Sequence, residues 1–568
     1  MVFLPNMLLK FKSLLFVCII IFAFNQTTTA QLELVSASHP VYEFLKNMQI
    51  KGIIKDYNSS NIPISRIEVS GYLKRIESSL LISKTDRKII DDYKIEFEYE
   101  LNKSLKNSTS LFNKFNQESV FGNKKQKYLY NYSDSNATLF FGFHGNADFR
   151  SSESDLGDHS ILLGDIGLNI RGTLFDKVGY SVAFLEGKRF YGKNTDMEFA
   201  IENDPILKSN PNLHTGNHNY DFFNGYLRYQ AKNNLLALTL GREALYCGYG
   251  YIDKLFLSNN TVPIDFLKLD LSYKKLKYTF TYGSIKGDSL GVDMKSKNIA
   301  MHRLNVQFSD VFKVGYFESI IMSNNPFSFV YFNPISFLTS ADLNTGRTET
   351  IKNNTLMGFD FEINPVTNLG VQGTLLIDDI NFSTLFKSDM TSNDNKIGYQ
   401  FGTIWTKAFT IPDMSFAFEY TRLNPFVYSH RSNKDSYTHW GFSLGHSLPP
   451  NSDEIALKIN YNFTNRLRFI LLYQFQRSAE GIYYDSVTNK IINYGGNINR
   501  GDGDYVINNK FLLGDRINRN IFTAELSFEL IKQYFIRLEY QYKLLNLIYL
   551  SKSDRESNFR AVFLINFR

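Results

Sequence analysis

The chain has 568 residues, 43% of them hydrophobic and 15% aromatic, with 62 Lys and Arg against 56 Asp and Glu for a net charge of +6. So small and dispersed a positive balance argues against a nucleic-acid partner. The 50 Phe and 35 Tyr, in a chain whose mean hydropathy is slightly polar, do not fit a soluble multi-domain protein, which carries more Ala, Leu and helical periodicity.

At the start, Lys10 and Lys12 precede an apolar run, Leu14 to Phe24, too short to cross a bilayer as a helix. The small-residue exit Thr28-Thr29-Ala30 follows, so residues 1–30 read as a signal peptide cleaved between Ala30 and Gln31. Cys18 is not a lipidation site, because Val17 stands where a small residue is needed. Loss of the leader removes Lys10 and Lys12, taking the net charge from +6 to +4, and leaves a single cysteine, Cys247, with no intramolecular disulfide.

Residues 31–110 predict a small helical domain, a periplasmic cap or plug. Pro40, Tyr42, Phe44, Leu45, Met48, Ile50, Ile53 and Ile54 recur at spacings of three and four, with Gly52 closing the helix. Pro63-Ile64-Ser65-Arg66 opens a second helix with Ile67, Val69, Tyr72, Leu73 and Ile76 on one face, and a third is expected from Lys84 to Leu105. Residues 111–136 read as a linker.

From about residue 137 to 568 the period becomes two. In Asp165-Ile166-Gly167-Leu168-Asn169-Ile170-Arg171 the apolar side chains alternate with Gly, Asn and Arg, and Leu457 to Phe463 and Phe522 to Leu530 repeat the pattern. Tyr534, Ile536, Leu538, Tyr540 and Tyr542 alternate with Phe535, Arg537, Glu539 and Gln541. Nine or ten alternating residues is the length of a tilted membrane strand, and no later stretch is apolar enough for a helical span, so lipid would accept this chain only as a closed barrel. Long strands with aromatics near their ends favour that barrel over a soluble sandwich. The predicted fold is an all-β antiparallel transmembrane barrel of about eighteen strands. Asn, Ser, Gly and Asp clusters at about 107–136, 189–220, 285–298, 338–354, 386–396 and 483–517 read as loops. Phe559, Ala561, Phe563, Ile565 and Phe567 alternate up to Arg568, as barrels whose last strand is read by the insertion machinery typically finish, although the terminal aromatic is here penultimate.

Three stretches carry a family likeness. The first is Gly241-Arg242-Glu243, Cys247-Gly248-Tyr249-Gly250, Ser258-Asn259-Asn260 and Pro263-Ile264. The second is His302-Arg303-Leu304 with Gly315, Glu318-Ser319 and Tyr331-Phe332-Asn333-Pro334. The third is Glu419-Tyr420-Thr421-Arg422, Asn424-Pro425, Tyr428-Ser429-His430, Tyr437-Thr438-His439, Leu444-Gly445-His446 and Pro449-Pro450-Asn451-Ser452-Asp453. In this order they resemble the capsule assembly protein Wzi family, whose glycine-rich segment often reads Trp-Gly-Pro-Gly where this chain has Cys247-Gly248-Tyr249-Gly250. The resemblance implies a barrel of eighteen strands with an N-terminal helical element in the outer membrane of a Gram-negative bacterium. It also implies a non-enzymatic, lectin-like role in attaching or organising capsular or other surface polysaccharide. The partners expected are that polysaccharide, outer-membrane lipid and the barrel-insertion machinery, with no cofactor. Arg242, Ser258, Asn259, Asn260, His302, Arg303, Glu318, Tyr331, Asn333, Glu419, Arg422, Tyr428, His430, His439 and His446 are the candidate glycan or lumen residues.

Other chemistries are weighed on the same residues. His430, His439 and His446 have spacings that match no short metal-ligand motif, and strands would set them at separate levels, so a hydrogen-bonding lumen or rim role is expected. Glu419 with Arg422, and Glu318 with His302 and Arg303, are expected to form charge networks inside the barrel. Asp378 and Asp379 should point to opposite faces of a strand. No Gly-x-Ser-x-Gly occurs, and Ser258-Asn259-Asn260 lacks a nearby His-Asp order that would suggest an acyl hydrolase. A substrate-selective porin is the main alternative, and a barrel-embedded hydrolase a further one. A TonB-dependent transporter would carry a larger plug and twenty-two strands.

Overall fold

Alternation along each strand fixes which side chains face out, and a computed structural model of the protein closes those strands into one antiparallel barrel. It describes residues 31–567 except 156, 217, 232–233, 288–295, 324–326, 345–352, 380–394 and 502–505. The signal peptide expected over 1–30, and parts of the loops expected at 285–298, 338–354 and 386–396, lie outside the described residues.

Eighteen strands make the wall. They are β1 Thr138–Ser154, β2 His159–Leu174, β3 Val178–Tyr191, β4 Asn219–Gln230, β5 Leu236–Glu243 and β6 Ile264–Tyr273. Next come β7 Leu276–Lys286, β8 Ser296–Gln307, β9 Phe312–Met322, β10 Asn354–Val366, β11 Leu369–Asp379 and β12 Lys396–Thr406. The last are β13 Met414–Leu423, β14 Ser452–Asn462, β15 Leu467–Glu480, β16 Asp515–Ile531, β17 Tyr534–Leu547 and β18 Lys552–Phe567. Each pairs with its neighbour in sequence, and β18 closes on β1 with Phe559 opposite Ser151 and Phe567 opposite Phe143. Closure leaves no sheet edge unpaired.

The outward face is apolar. Tyr534, Ile536, Leu538 and Tyr540 of β17 stand opposite Ile565, Phe563, Ala561 and Phe559 of β18, so the alternation read in both strands falls on one side of the wall. Ile166, Leu168 and Ile170 of β2 are exposed on the same outer side. An apolar band around a closed barrel is what a bilayer demands.

The two mouths differ. At one, strands connect by short turns, as between Tyr273 and Leu276 or Ile531 and Tyr534. At the other, residues 192–218, 244–263, 323–353, 424–451 and 481–514 form long connections.

The N-terminal helices sit at the short-turn mouth: α1 Val41–Ile50, α2 Arg66–Glu77, α3 Lys84–Glu96 and α4 Glu98–Asn102. Gly52 ends α1 at φ +78, with its own N–H on Gln49 O and the Ile53 N–H on Met48 O, the paired bonds of a left-handed helix terminus. Ser83 caps α3 in a reciprocal box with Asp86. The expected third helix to Leu105 is instead broken at Phe97, whose ring turns into the core beneath the Arg66 guanidinium at 4.2 Å. Leu45, Met48, Val69, Leu73, Ile76 and Ile90 fill the rest of that core.

This unit is bonded to the short turns and reaches into the lumen. Asn368 N–H donates to Ile50 O at 2.9 Å, Asn465 to Asp92 at 2.6 Å, and Ser83 to Asp413. Deeper, Lys46 and Gln49 meet Glu362, Ser60 donates to Asn305 at 3.0 Å, and Asn61 to Thr279 at 2.6 Å. There the two-residue strand Asn61–Ile62 pairs with Tyr246–Cys247, which descends in the connection from the opposite mouth.

Candidate functional site

Inward carboxylates of the wall grip backbone amides of the long connections, and this packs those connections inside the upper lumen. Glu419 on β13 accepts from Tyr251 N–H at 2.8 Å, Asp253 N–H at 3.1 Å and the Gln372 amide at 2.9 Å. Asp378 accepts from Tyr428 N–H at 2.7 Å, and Asp360 from Tyr249 N–H at 3.2 Å. An inward acid in a site shielded from water is stabilised by several N–H donors, and each donor would otherwise be an unmade bond.

Arg303 on β8 completes this layer with a buried double contact to Asp360 on β10, at 2.8 and 2.6 Å, and its Nε donates to Asn305 at 3.0 Å. Gly315 leaves the room: a Cβ there would stand 2.2 Å from the Arg303 guanidinium and 2.3 Å from Asp360.

The connections also lock to each other. Ser258 N–H donates to Leu444 O at 2.8 Å, the Asn260 amide to Gly445 O at 2.6 Å, Tyr428 OH to Leu255 O at 2.6 Å and Tyr437 OH to Phe256 O at 2.8 Å. Phe426 N–H donates to Gly495 O at 2.9 Å, and Leu512 N–H to Asn451 Oδ1 at 2.7 Å, which ties in residues 481–514. Gly495 has φ +68, and a Cβ there would sit 2.5 Å from the Phe426 ring, so this joint requires glycine. Leu255, Phe256, Leu257, Val427, Leu444 and Leu448 bury themselves against Ile299, Phe317, Ile321 and Leu356 of the wall.

Electrostatics inside the plug follow from burial. Asp253 is buried, which alone would raise its carboxyl, but the His446 ring and hydrogen bonds from Ser258 and Ser447 hold it below the usual carboxylate value. Burial brings Lys254, which donates to Gly248 O at 2.5 Å, down to about 8. Burial, with the Lys297 cation close by, pushes His439 down to about 3, and its Nδ1 accepts from Lys286 N–H at 2.9 Å.

The residues singled out in the sequence fall into two sets. Ser258, Asn260, Tyr428, His439 and His446, with the wall residues Arg303 and Glu419, take part in the plug just described. Asn259 is exposed at its surface, and His430 lies in the same connection beside Asp435 at 3.9 Å. The three histidines belong to one connection rather than to wall strands, His439 in its two-residue strand Thr438–His439, with different partners, and no metal-holding group forms among the described residues.

The second set faces outward. Arg303 points in, so its neighbour His302 points out, where it pairs with Glu318 at 2.7 Å. The expected network of Glu318, His302 and Arg303 inside the barrel is therefore split by the wall. Within the connection 323–353, α5 Phe329–Phe332 and α6 Leu338–Asn344 fold down over this outer surface. Glu318 accepts from Leu338 N–H at 3.1 Å and Thr339 N–H at 2.6 Å. Tyr331 donates to Asp342 at 2.9 Å, and Asn333 accepts from Ile335 N–H at 3.1 Å. Arg242 faces outward near the long-loop rim, 3.6 Å from Asp265. Glu419 and Arg422 are also on opposite faces: Arg422 lies over the Phe511 ring at 3.5 Å instead of pairing with the acid. Spacing of three along a strand always reverses the face.

Residues the sequence reading passed over include Asp253 and Asp360, whose roles depend on a distant partner. Asp360 was signalled by Asp360-Phe361-Glu362, which puts charge at two successive positions of one face. At the meeting of three connections, Lys208 lies 4.9 Å over the Phe442 ring and Asn499 donates to Gly441 O at 3.1 Å. Nothing local in the sequence marks that convergence.

A ring, a cation and amides together form a surface chemically suited to a sugar. On the other side of the lumen the wall stays polar: Lys543 pairs with Glu556 at 2.8 Å, Asn558 faces Gln541, and Arg560, 43% exposed, contacts Asp148 at 2.7 Å.

Comparison with known proteins adds three findings. A family model described as capsule assembly protein Wzi matches residues 177–543. No curated protein matches. Among solved structures, Wzi of Escherichia coli, described as an outer membrane protein involved in group 1 capsule assembly and a carbohydrate-binding β-barrel, is similar over 94% of this chain and 99% of its own, with 13% identity and a TM-score of 0.56. OccAB2 of Acinetobacter baumannii covers 76% of this chain and 98% of its own at 12% identity and a TM-score of 0.46. OprD of Pseudomonas aeruginosa covers 75% and 95% at 10% identity and a TM-score of 0.41.

Proposed function

From the fact that this chain belongs to the capsule assembly protein Wzi family, we propose that it is a non-enzymatic outer-membrane barrel that binds capsular or other surface polysaccharide at its long-loop mouth and helps to attach or organise it. One observation carries the reading: connections 244–263, 424–451 and 481–514 interlock in the upper lumen, so that the mouth presents a fixed surface. Lys208, Phe442, Asn499 and Asn259 are its contact candidates. An aromatic face stacks on a sugar ring, amides bond hydroxyls, and a cation meets a uronate or other acidic substituent.

The test is a binding titration of labelled surface polysaccharide against the refolded protein and its Phe442→Ala and Lys208→Ala variants. At least a tenfold weaker binding by the variants is expected. Equal binding by all three would remove this site. In cells, deletion should leave polysaccharide made but loosely held, and unchanged cell-bound polysaccharide would contradict the reading.

A second reading has its own observation. The partly exposed charged strip on β16–β18 and β1 is suited to lining a narrow selective channel. A conductance trace in planar bilayers from the same preparation separates the two.

A further inference from the structure

A glutamate and a histidine on the outward face of a membrane wall demand an explanation. His302 lies six residues from the long-loop end of β8, roughly 20 Å along the strand, so the pair stands well below the rim. Connection 323–353 covers it. Glu318 receives the N–H groups of Leu338 and Thr339 and the Thr339 hydroxyl, while Leu338 and Tyr331 pack on Ala300, Ile320 and Met322 of the outer wall. The His302–Glu318 pair is thereby enclosed by protein.

The other side of this covering is apolar. Phe327, Phe329, Ile335 and Phe337 are exposed, Phe329 to 81% and Ile335 to 88%, and residues 327–338 include no charged side chain. Several backbone donors here are met by protein: Phe332 N–H by Ser328 O, Ser336 N–H by Asn333 O, Ile335 N–H by the Asn333 side chain and Leu338 N–H by Glu318. Non-strand backbone survives at membrane depth only when its hydrogen bonds are met by protein. Beside this segment an outward-open groove of about 480 Å³ runs between Phe327 and Tyr282 on one side and Leu240, Leu267 and Phe223 on the other, with the Arg242–Asp265 pair and Asn298 also in its lining.

We propose that residues 327–338 lie within the membrane against the barrel wall, contacting lipid acyl chains through Phe329, Ile335 and Phe337. The inference rests on the barrel being membrane-embedded. Its uncharged surface is continuous with the apolar band of β7–β10, which is why lipid and not water is its occupant.

Spin labels on Ile335→Cys and, separately, Phe329→Cys in the full chain, reconstituted into phospholipid bilayers, provide the test. Leu538→Cys is the reference for the outer wall and Tyr484→Cys for water. The expected result is that both loop labels match Leu538, with oxygen reaching them at least several-fold more readily than a nickel chelate. Loop labels that match Tyr484 would overturn the proposal. So would labels shielded from both reagents and broadened by neighbouring spins, which would mean that a second copy covers the face. A water-like Leu538 reference would instead reject the membrane barrel itself.

Discussion

The two halves of the lumen wall obey the same alternation but differ in what their inward side chains meet. On β8 and β9 the inward positions Ile299, Met301, Phe317 and Ile321 are fully or nearly fully buried against the plug. On β17 and β18 they include Gln541, Lys543, Glu556, Asn558 and Arg560, partly exposed. On β8 the polar inward residues Lys297, Arg303 and Asn305 are buried as well, so inward exposure, not polarity, records what fills the space opposite, protein or water. Buried ion pairs should matter most in the filled half and least in the wet one.

The sharpest test breaks the filled half at its centre. Arg303→Met or Asp360→Leu alone leaves the other charge buried and should cost about 3–5 kcal/mol, while the double variant should recover most of the loss. The midpoint of the heat-induced gel shift reads this, and a single variant with an unchanged midpoint would erase the distinction between halves.

Acid should come next. His439 is held at about 3 in the fold against an ordinary 6.5, so the unfolded chain takes up its proton first as pH falls. Its contribution is complete above pH 6.5 and is lost progressively down to about 3. At roughly 1.4 kcal/mol per unit, going from pH 7 to pH 4 should cost about 3 kcal/mol. His439→Asn should flatten that dependence of the midpoint.

Glu419→Gln keeps the shape of the tether but not its charge. About 2 kcal/mol of local stability should go, seen as faster amide exchange at Tyr251 and Asp253. In the wet half, Lys543→Ala should shift the midpoint by no more than about 0.5 kcal/mol. A large loss there would mean that strip is packed like the other.

Much of this was readable in the residues. Tyr534 to Tyr542 and Phe559 to Phe567 alternate in the sequence and fall on one outer face in the fold. The strand count, the closing of α1 at Gly52 and the start of α2 after Ser65 were likewise written in local pattern. Face assignment was less accessible. Alternation says that His302 and Arg303 differ, not which enters the lumen, and charge suggested that both should. The answer depends on Leu338 and Thr339, more than thirty residues along the chain from His302, which make the outer position tolerable for Glu318. Plug contacts are likewise set by partners such as Asn260 with Gly445, which no periodicity connects.

The short ladder of Asn61–Ile62 with Tyr246–Cys247 joins material from both mouths inside the lumen, beside Thr279 of the wall. It acts as a tie rod. On the function proposed above, tension on polymer held at the long-loop surface would pass down connection 244–263 into the helical unit through these paired peptide hydrogen bonds. The wall need not stretch for a pull on one surface to be felt at the other.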